Sequence, residues 1–173
     1  VGTNVILDVL HIDGTEEILT VTRGHIKSQS VTGLVRKNQK WSWHLDEKQG
    51  IAYIRIRQFL DTTPQELINA IQLANNTSLI RGLILDLREN PGGSLPAAIT
   101  IANMFLDKGV IVTVSGRATE SRSWNAEPGT MLPEVPILVL VNNNSASASE
   151  IVSGSLQSNN RAAILGMRTF GKG

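Results

Sequence analysis

The chain has 173 residues, 41% of them hydrophobic, and a formal net charge of +1 at pH 7. That length allows one sizeable hydrophobic core with a small appended unit. The near-neutral charge gives no electrostatic reason to expect nucleic acid as a partner. The absence of cysteine excludes disulfides and cysteine-rich metal sites, and no apolar run approaches the roughly 20 residues of a membrane span.

Alternating apolar residues near the N terminus predict a β-hairpin. Apolar side chains occupy every second position from Val5 to Val9, a turn follows at 13–15, and a second apolar stretch runs from Ile18 to Val21. Two strands alone are only marginally stable, so the hairpin needs a packing partner. The following stretch, 22–50, is polar and turn-rich, which is typical of a solvated linker.

Strand and helix patterns alternate after this linker. The segments Ile51–Phe59 and Gly82–Leu87 predict buried strands, and the helix between them is predicted to have Thr63 as its N-cap. A second helix is predicted from about Leu95 to Leu106, and another strand at Val110–Val114. Strands separated by helices imply parallel βαβ units, so the predicted fold class is α/β.

A long polar segment, 116–133, follows the last of these strands. Long loops are often functional, so one interpretation is that it covers or contacts a substrate. The other interpretation is a surface hairpin, and the residues do not decide between the two.

A glycine pair, Gly92–Gly93, separates the second buried strand from its helix. Without side chains, these residues let backbone N–H groups approach a ligand oxygen closely. A phosphate site is weakly supported, because the sequence contains neither GxxxxGK[ST] nor GxGxxG. Asp86 and Arg88, just before the pair, are expected to form structural hydrogen bonds or an ion pair at the strand end.

A serine-rich corner lies between a strand predicted at Ile137–Val141 and a helix predicted from about Ile151. A serine at such a corner exposes its hydroxyl at a helix N terminus, where free N–H groups and the helix dipole favour developing negative charge. The alternative for this corner, from composition alone, is an ordinary helix cap.

A serine nucleophile needs a base, and the sequence offers few. The histidines His11, His25 and His44 lie far upstream and have no recognisable triad context. Lys172, in the segment Gly171–Gly173, is the other candidate, because burial can make a lysine a general base. The alternative for this segment is an exposed turn.

Three segments, LDLRENPGG, SASASEI and TFGKG, occur in this order. With their spacing they resemble the C-terminal processing peptidases, also called tail-specific proteases, which are serine endopeptidases with a Ser-Lys dyad on a Clp/crotonase-like core. The resemblance implies that Ser147 is the nucleophile and Lys172 the base. It also implies that backbone N–H groups of Gly93 and Ala148 form the oxyanion hole.

The resemblance also implies a domain organisation. Residues 1–31 are expected to be the C-terminal part of a PDZ-like domain, 32–50 a linker with a strand, and 51–173 the serine protease core. The sequence starts within a strand pattern and stops just after the lysine, so both domains are expected to be truncated and the fragment weakly active or inactive. A hairpin packed directly on the core is the alternative for the first unit.

The function implied is cleavage of protein or peptide substrates recognised through their C-terminal tails, through an acyl-enzyme intermediate and without metal or organic cofactor. Lys172 is expected to be shielded from water, with Phe170 as the candidate shield. The family works mostly in the bacterial envelope or the chloroplast lumen, so a bacterial cell envelope, periplasmic or secreted location is implied ahead of the chloroplast lumen. The oligomeric state stays open.

Two other functions are compatible with the same core. One is a non-catalytic peptide- or lipid-binding module, since retinoid-binding repeats of the photoreceptor matrix resemble this fold without being established peptidases. The other is a crotonase-type acyl-CoA enzyme, which shares an oxyanion hole. The presence of both Ser147 and Lys172 favours the peptidase.

Overall fold

The computed structural model describes residues 1–24, 29–116 and 119–172, and it describes no side chains at 119 and 120. His25, Arg117 and Gly173 lie outside the described residues. The strands and helices, in chain order, are β1 (Asn4–Leu10), β2 (Glu16–Thr22), β3 (Val31–Thr32), β4 (Val35–Lys37), β5 (Lys40–Ser42), β6 (His44–Asp46), β7 (Ile51–Ile56), α1 (Thr63–Thr77), β8 (Gly82–Asp86), α2 (Leu95–Asn103), β9 (Val110–Gly116), β10 (Thr119–Asn125), β11 (Ile137–Val141), α3 (Ala148–Ser158) and β12 (Ala162–Gly166).

The central sheet has the strand order β12-β11-β8-β7-β3, and β6 also pairs with β7. Its four long strands, β7, β8, β11 and β12, run parallel, and β3 and β6 pair antiparallel with the edge of β7. This confirms the α/β class with a mostly parallel sheet. The core forms where alternate strand residues such as Ile54, Leu85 and Val139, all fully buried, meet the buried faces of the helices.

The strand predicted at Val110–Val114 forms, as β9, but it does not join the parallel sheet. It pairs antiparallel with β10 in a separate two-stranded sheet. The polar residues of β9, such as Ser115, are exposed. The strand is therefore better suited to the protein surface than to a buried parallel sheet. From Thr119 to Asn125 the long polar segment is thus the second strand of a surface sheet, paired antiparallel with β9, and Arg117 and Ala118 lie outside the described residues.

The N-terminal hairpin forms as predicted, with Leu7 opposite Leu19. It is a two-stranded sheet of its own, and several of its apolar side chains, among them Ile6, Leu10 and Ile18, are about 70% exposed. The stretch predicted as linker contains β3, β4, β5 and β6, and through β3 and β6 it contributes to the central sheet.

Helix α1 begins one residue earlier than predicted, since Thr62 is its N-cap. The hydroxyl of Thr63 is used elsewhere: it accepts the Leu60 N–H at 2.8 Å and donates to the Gln58 carbonyl at 3.2 Å. Thr63 therefore holds the loop that enters the helix, rather than the helix's own N–H groups.

Among the described residues, none of the helices combines the length and the apolar character that a membrane span requires.

Arg161, just before β12, ties three chain segments together. Its guanidinium donates to the carbonyls of Phe105 and Val135, each at 2.9 Å, and to that of Leu132. Burial lowers the pKa of Arg161. All three acceptors are backbone carbonyls. The Arg161 side chain therefore has a structural function, which is to hold these segments together.

We expect Arg161→Met to lower the free energy of unfolding by about 3 kcal/mol, because three half-buried carbonyls lose a charged donor. Denaturant unfolding at pH 7 measures this. Arg168→Met is the control: Arg168 is exposed and the change should cost less than about 0.5 kcal/mol. Equal losses in the two variants would contradict the role given to Arg161.

Candidate active site

The candidate site lies where the parallel strands end. The loop after β8 and the loop after β11 leave the same edge of the sheet, because parallel neighbours end on the same side. The first loop carries Gly92 and Gly93, and the second carries Ser147. Two buried serines of the second loop and helix α3, Ser145 and Ser149, donate hydrogen bonds to carbonyls of the first. The two loops are therefore fixed against each other.

Ser147 is the N-cap of α3 and has φ 52° and ψ −111°. Positive φ is unusual for a residue with a Cβ, and it marks a sharp turn between strand β11 and the helix. The side chain is half-buried. A Cβ placed on Gly92 would lie 2.9 Å from the Ser147 Cβ and 3.0 Å from the Ala148 N, so the glycine loop is in direct contact with the serine.

Two backbone N–H groups beside Ser147 have no acceptor within the described part of the protein: those of Gly93 and Ala148. Their neighbours are all used. Gly92 N donates to Asn90 Oδ1 at 2.9 Å, and Ser147 N donates to Glu150 Oε2 at 2.8 Å. Ala148 is the first residue of α3, where helix N–H groups lack internal partners. The two free donors are the ones that the resemblance implied for an oxyanion hole.

Lys172 lies near the serine through its backbone rather than its side chain. No hydrogen bond joins the Lys172 ammonium to Ser147 Oγ among the described residues, and Lys172 is exposed. The sequence predicted that Phe170 shields Lys172 from water. This prediction is wrong among the described residues, because Phe170 is itself 68% exposed. The segment is held instead by main-chain bonds: Phe170 N donates to the Ser145 carbonyl at 3.0 Å.

Glu150 is the residue that sequence reasoning missed. Its carboxylate accepts three backbone N–H groups, from Ser147 at 2.8 Å, Gly171 at 2.6 Å and Lys172 at 2.9 Å. Burial raises the pKa of Glu150, but hydrogen bonds from Thr169 and from these three N–H groups outweigh burial and lower it. One carboxylate thus connects the backbones of both dyad candidates. The capping-box spacing from Ser147 to Glu150 was the available signal.

Asp86 and Arg88 form the predicted ion pair, 2.7 Å apart, at the end of β8. Tyr53 Oη donates to the same carboxylate at 2.5 Å. Burial raises the pKa of Asp86, but the bonds from Arg88 and Tyr53 outweigh it and hold the pKa below the ordinary 3.8. Burial and the Asp86 carboxylate raise the pKa of Tyr53, so this tyrosine stays neutral. The cluster stiffens the strand end that carries the glycine loop.

We expect Asp86→Asn to lower the free energy of unfolding by about 2 kcal/mol at pH 7, because Arg88 loses its charged partner. A lowered folded-state pKa gives stability that is present above pH 3.8 and is lost as pH falls through the folded pKa. The difference between variant and wild type should therefore shrink in the acid range. Denaturant unfolding at several pH values tests this, with exposed Asp8→Asn as control. A pH-independent difference would contradict the assignment.

The described residues contain no group of three or more His, Cys, Asp or Glu side chains placed to hold a metal ion. The chemistry that the site offers is that of a serine hydroxyl, two backbone donors and a nearby lysine. His44, which has no triad context in the sequence, is buried in the β6 strand, and its imidazole nitrogens make no hydrogen bond among the described residues.

Known proteins have sequences similar to most of this chain. Residues 50–173 match the model of a family described as Peptidase family S41. A carboxy-terminal-processing protease of Bartonella bacilliformis is 46% identical over 127 residues, which are 71% of this chain and 29% of that protein. A carboxyl-terminal-processing protease of a Picosynechococcus species is 44% identical over 131 residues, 75% of this chain and 31% of that protein. The chain thus spans less than a third of the length of these curated relatives.

A solved structure shares the fold along almost the whole chain. The photosystem II D1 C-terminal processing protease matches with a TM-score of 0.70 at 30% identity, covering 98% of this chain and 44% of that one. The match extends over the N-terminal hairpin as well as the central sheet.

Proposed function

Because the chain belongs to peptidase family S41, as its three motifs predicted, we propose that it forms part of a serine endopeptidase in which Ser147 is the nucleophile and Lys172 the general base. The proposal rests chiefly on one observation. Ser147 stands on a strained turn at a helix start, in contact with the glycine loop, beside two backbone donors that have no acceptor among the described residues.

The reaction begins with attack of Ser147 Oγ on the scissile carbonyl carbon, while the neutral Lys172 amine takes the hydroxyl proton. The carbonyl oxygen becomes an oxyanion and accepts hydrogen bonds from the N–H groups of Gly93 and Ala148. The intermediate then collapses, the C–N bond breaks, and Lys172 passes its proton to the leaving amine. Water attacks the resulting acyl-enzyme by the same route and releases the acid.

Glu150 supports this assignment without touching the reacting atoms. By accepting the N–H groups of Ser147 and Lys172 on the same carboxylate oxygen, it keeps the two backbones in fixed relation. The Lys172 side chain still has to turn from solvent toward Ser147 Oγ and lose water. In this proposal a bound substrate chain supplies that cover, since closing a site over substrate expels water.

Substrate recognition belongs to the same proposal. The hairpin of β1 and β2, within residues 1–31, is proposed to be the C-terminal part of a PDZ-like domain next to a Clp/crotonase-like core that begins at residue 51. Such a domain binds a substrate's C-terminal tail as an added strand. The substrates are then protein or peptide chains with accessible C-terminal tails. The proposed location is the bacterial cell envelope, the periplasm or the exterior.

The experiment is covalent labelling of the complete peptidase, of which the chain is proposed to form part, with a fluorophosphonate, which reacts with activated serines, together with cleavage of unfolded casein. We expect the label on Ser147 by peptide mass mapping, and loss of casein cleavage in proportion to labelling. Labelling at another residue with full loss of cleavage would overturn the assignment. No labelling and no cleavage by a folded protein that binds peptide or lipid would replace the peptidase by a binding module.

A further inference from the structure

We propose that Ser149 is a positioning residue for the oxyanion hole: through the backbone of Asn90 it holds the glycine loop at the distance from Ser147 that the reaction needs. The inference rests on the proposed function. It assigns a role to a serine that the dyad mechanism does not use.

The bond itself is short and completely buried. Ser149 Oγ donates to the Asn90 carbonyl at 2.9 Å, and both residues have no exposed surface. The same carbonyl accepts the Ala146 N–H at 3.0 Å. Donors from both sides of Ser147 therefore converge on one oxygen of the glycine loop. Such bonds matter between buried groups, because a lost partner leaves a buried acceptor unpaired.

Asn90 carries this restraint onward to the glycine pair. Its Nδ2 donates to the Ile56 carbonyl at the end of β7, at 2.9 Å, and its Oδ1 accepts the Gly92 N–H at 2.9 Å. The Asn90 side chain thus fixes the Gly92 peptide relative to the sheet, and it supplies the acceptor for the Gly92 N–H. The next N–H, that of Gly93, is left as a donor with no acceptor among the residues that the structure describes.

The geometry explains why the bond affects rate. The two proposed oxyanion donors come from different chain segments, Gly93 from the loop after β8 and Ala148 from α3. The distance between the two donors is set by the contacts that join these segments. The Ser149–Asn90 hydrogen bond is one such contact, and Ser149 is the residue next to Ala148. Misplacement of a catalytic group by about 1 Å can cost roughly 10²-fold in rate. A slackened loop should therefore weaken transition-state stabilisation more than substrate binding.

Helix α3 provides a matched control. Ser153 is also buried, at 6% exposure, and its hydroxyl donates to the Ser149 carbonyl at 2.8 Å, within the same helix. Ser149→Ala and Ser153→Ala remove the same atom from the same helix one turn apart. Only the first cuts the connection to the glycine loop.

The test uses the complete peptidase of which the chain is proposed to form part, and compares wild type, Ser147→Ala, Ser149→Ala and Ser153→Ala in steady-state cleavage of a fluorogenic peptide, with unfolding of each variant measured alongside. We expect Ser149→Ala to lower kcat about 10-fold with KM within about twofold, and Ser153→Ala to stay within about twofold in both. A peptide boronic acid, whose adduct with Ser147 places an oxygen in the hole, should bind about 10-fold more weakly to Ser149→Ala. The unreactive peptide amide should bind both variants equally.

Unchanged kcat in a folded Ser149→Ala, with Ser147→Ala inactive, would overturn this inference alone. So would equal losses of kcat in Ser149→Ala and Ser153→Ala, which would indicate general loosening of the helix. If Ser149→Ala unfolds, Ser149→Cys is used, since a weaker donor of similar size should give an intermediate kcat; wild-type kcat there would overturn the inference. Cleavage by Ser147→Ala would overturn the proposed function and this inference with it.

Discussion

Replacing Ser147 by alanine is expected to abolish peptide cleavage, and Lys172→Ala is expected to abolish it to the same extent. A nucleophile and its base act as a unit, so either loss alone should lower kcat by about 10⁴-fold or more. The measurement is the kcat of each variant on a fluorogenic peptide and on unfolded casein.

Both variants should remain folded, and the structure explains why. Lys172 is anchored through its backbone N–H on Glu150, and this bond survives removal of the side chain. Ser147→Ala likewise keeps the backbone bond to Glu150. The control is Lys108→Ala, which removes an exposed lysine elsewhere and should retain full activity. If Lys172→Ala cleaves like the wild type, the base has been assigned to the wrong residue.

Gly92→Ala is expected to lower kcat roughly 10³-fold, because its methyl group would occupy the space between the nucleophile and an oxyanion donor. The new Cβ would lie 2.8 Å from the Ala146 carbonyl oxygen, 2.9 Å from the Ser147 Cβ and 3.0 Å from the Ala148 N. All three atoms belong to backbone or to a short side chain, so none can move away without shifting the loop. The φ of Gly92, +101°, adds strain for alanine.

The same substitution at Gly154 is the control for this prediction. Gly154 lies in α3, and a Cβ there meets nothing within 4 Å. Gly154→Ala should therefore leave kcat unchanged and raise stability by up to about 1 kcal/mol, the usual gain for alanine in a helix. Wild-type kcat in a folded Gly92→Ala would contradict the close approach of the glycine loop to Ser147.

Strong periodicity made much of the fold predictable. The strands that begin at Ile51 and Gly82, and the strand and helix on either side of Ser147, all form within a few residues of the predicted bounds. Each of these strands and helices has a buried face, and the apolar residues of that face recur at a regular spacing in the sequence. The strand at Val110 was assigned to the wrong sheet because its pattern indicates only that it is extended, whereas its partner is the next strand along the chain, β10.

Residues that act through hydrogen bonds between distant parts of the chain were harder to predict. Glu150 bonds to Gly171 and Lys172, which are distant in sequence, so its spacing from Ser147 indicates only a helix cap. The prediction that Phe170 shields Lys172 was wrong for a related reason. Adjacency in sequence does not determine which way a side chain points, and this phenylalanine faces solvent. Gly93 and Ala148 could be proposed as oxyanion donors only through their motifs, since backbone donors leave no side-chain signal of their own.

The backbone at Ser147 has a consequence for selection. A residue with a Cβ held at φ 52° and ψ −111° costs of order 1–3 kcal/mol relative to relaxed geometry, whereas glycine would meet little strain there. If Ser147 is the nucleophile, as proposed, the protein gives up stability at the position that supplies the reactive hydroxyl. A laboratory search that rewards thermal resistance alone would be expected to enrich glycine at this position, and the most heat-stable descendants would be inert.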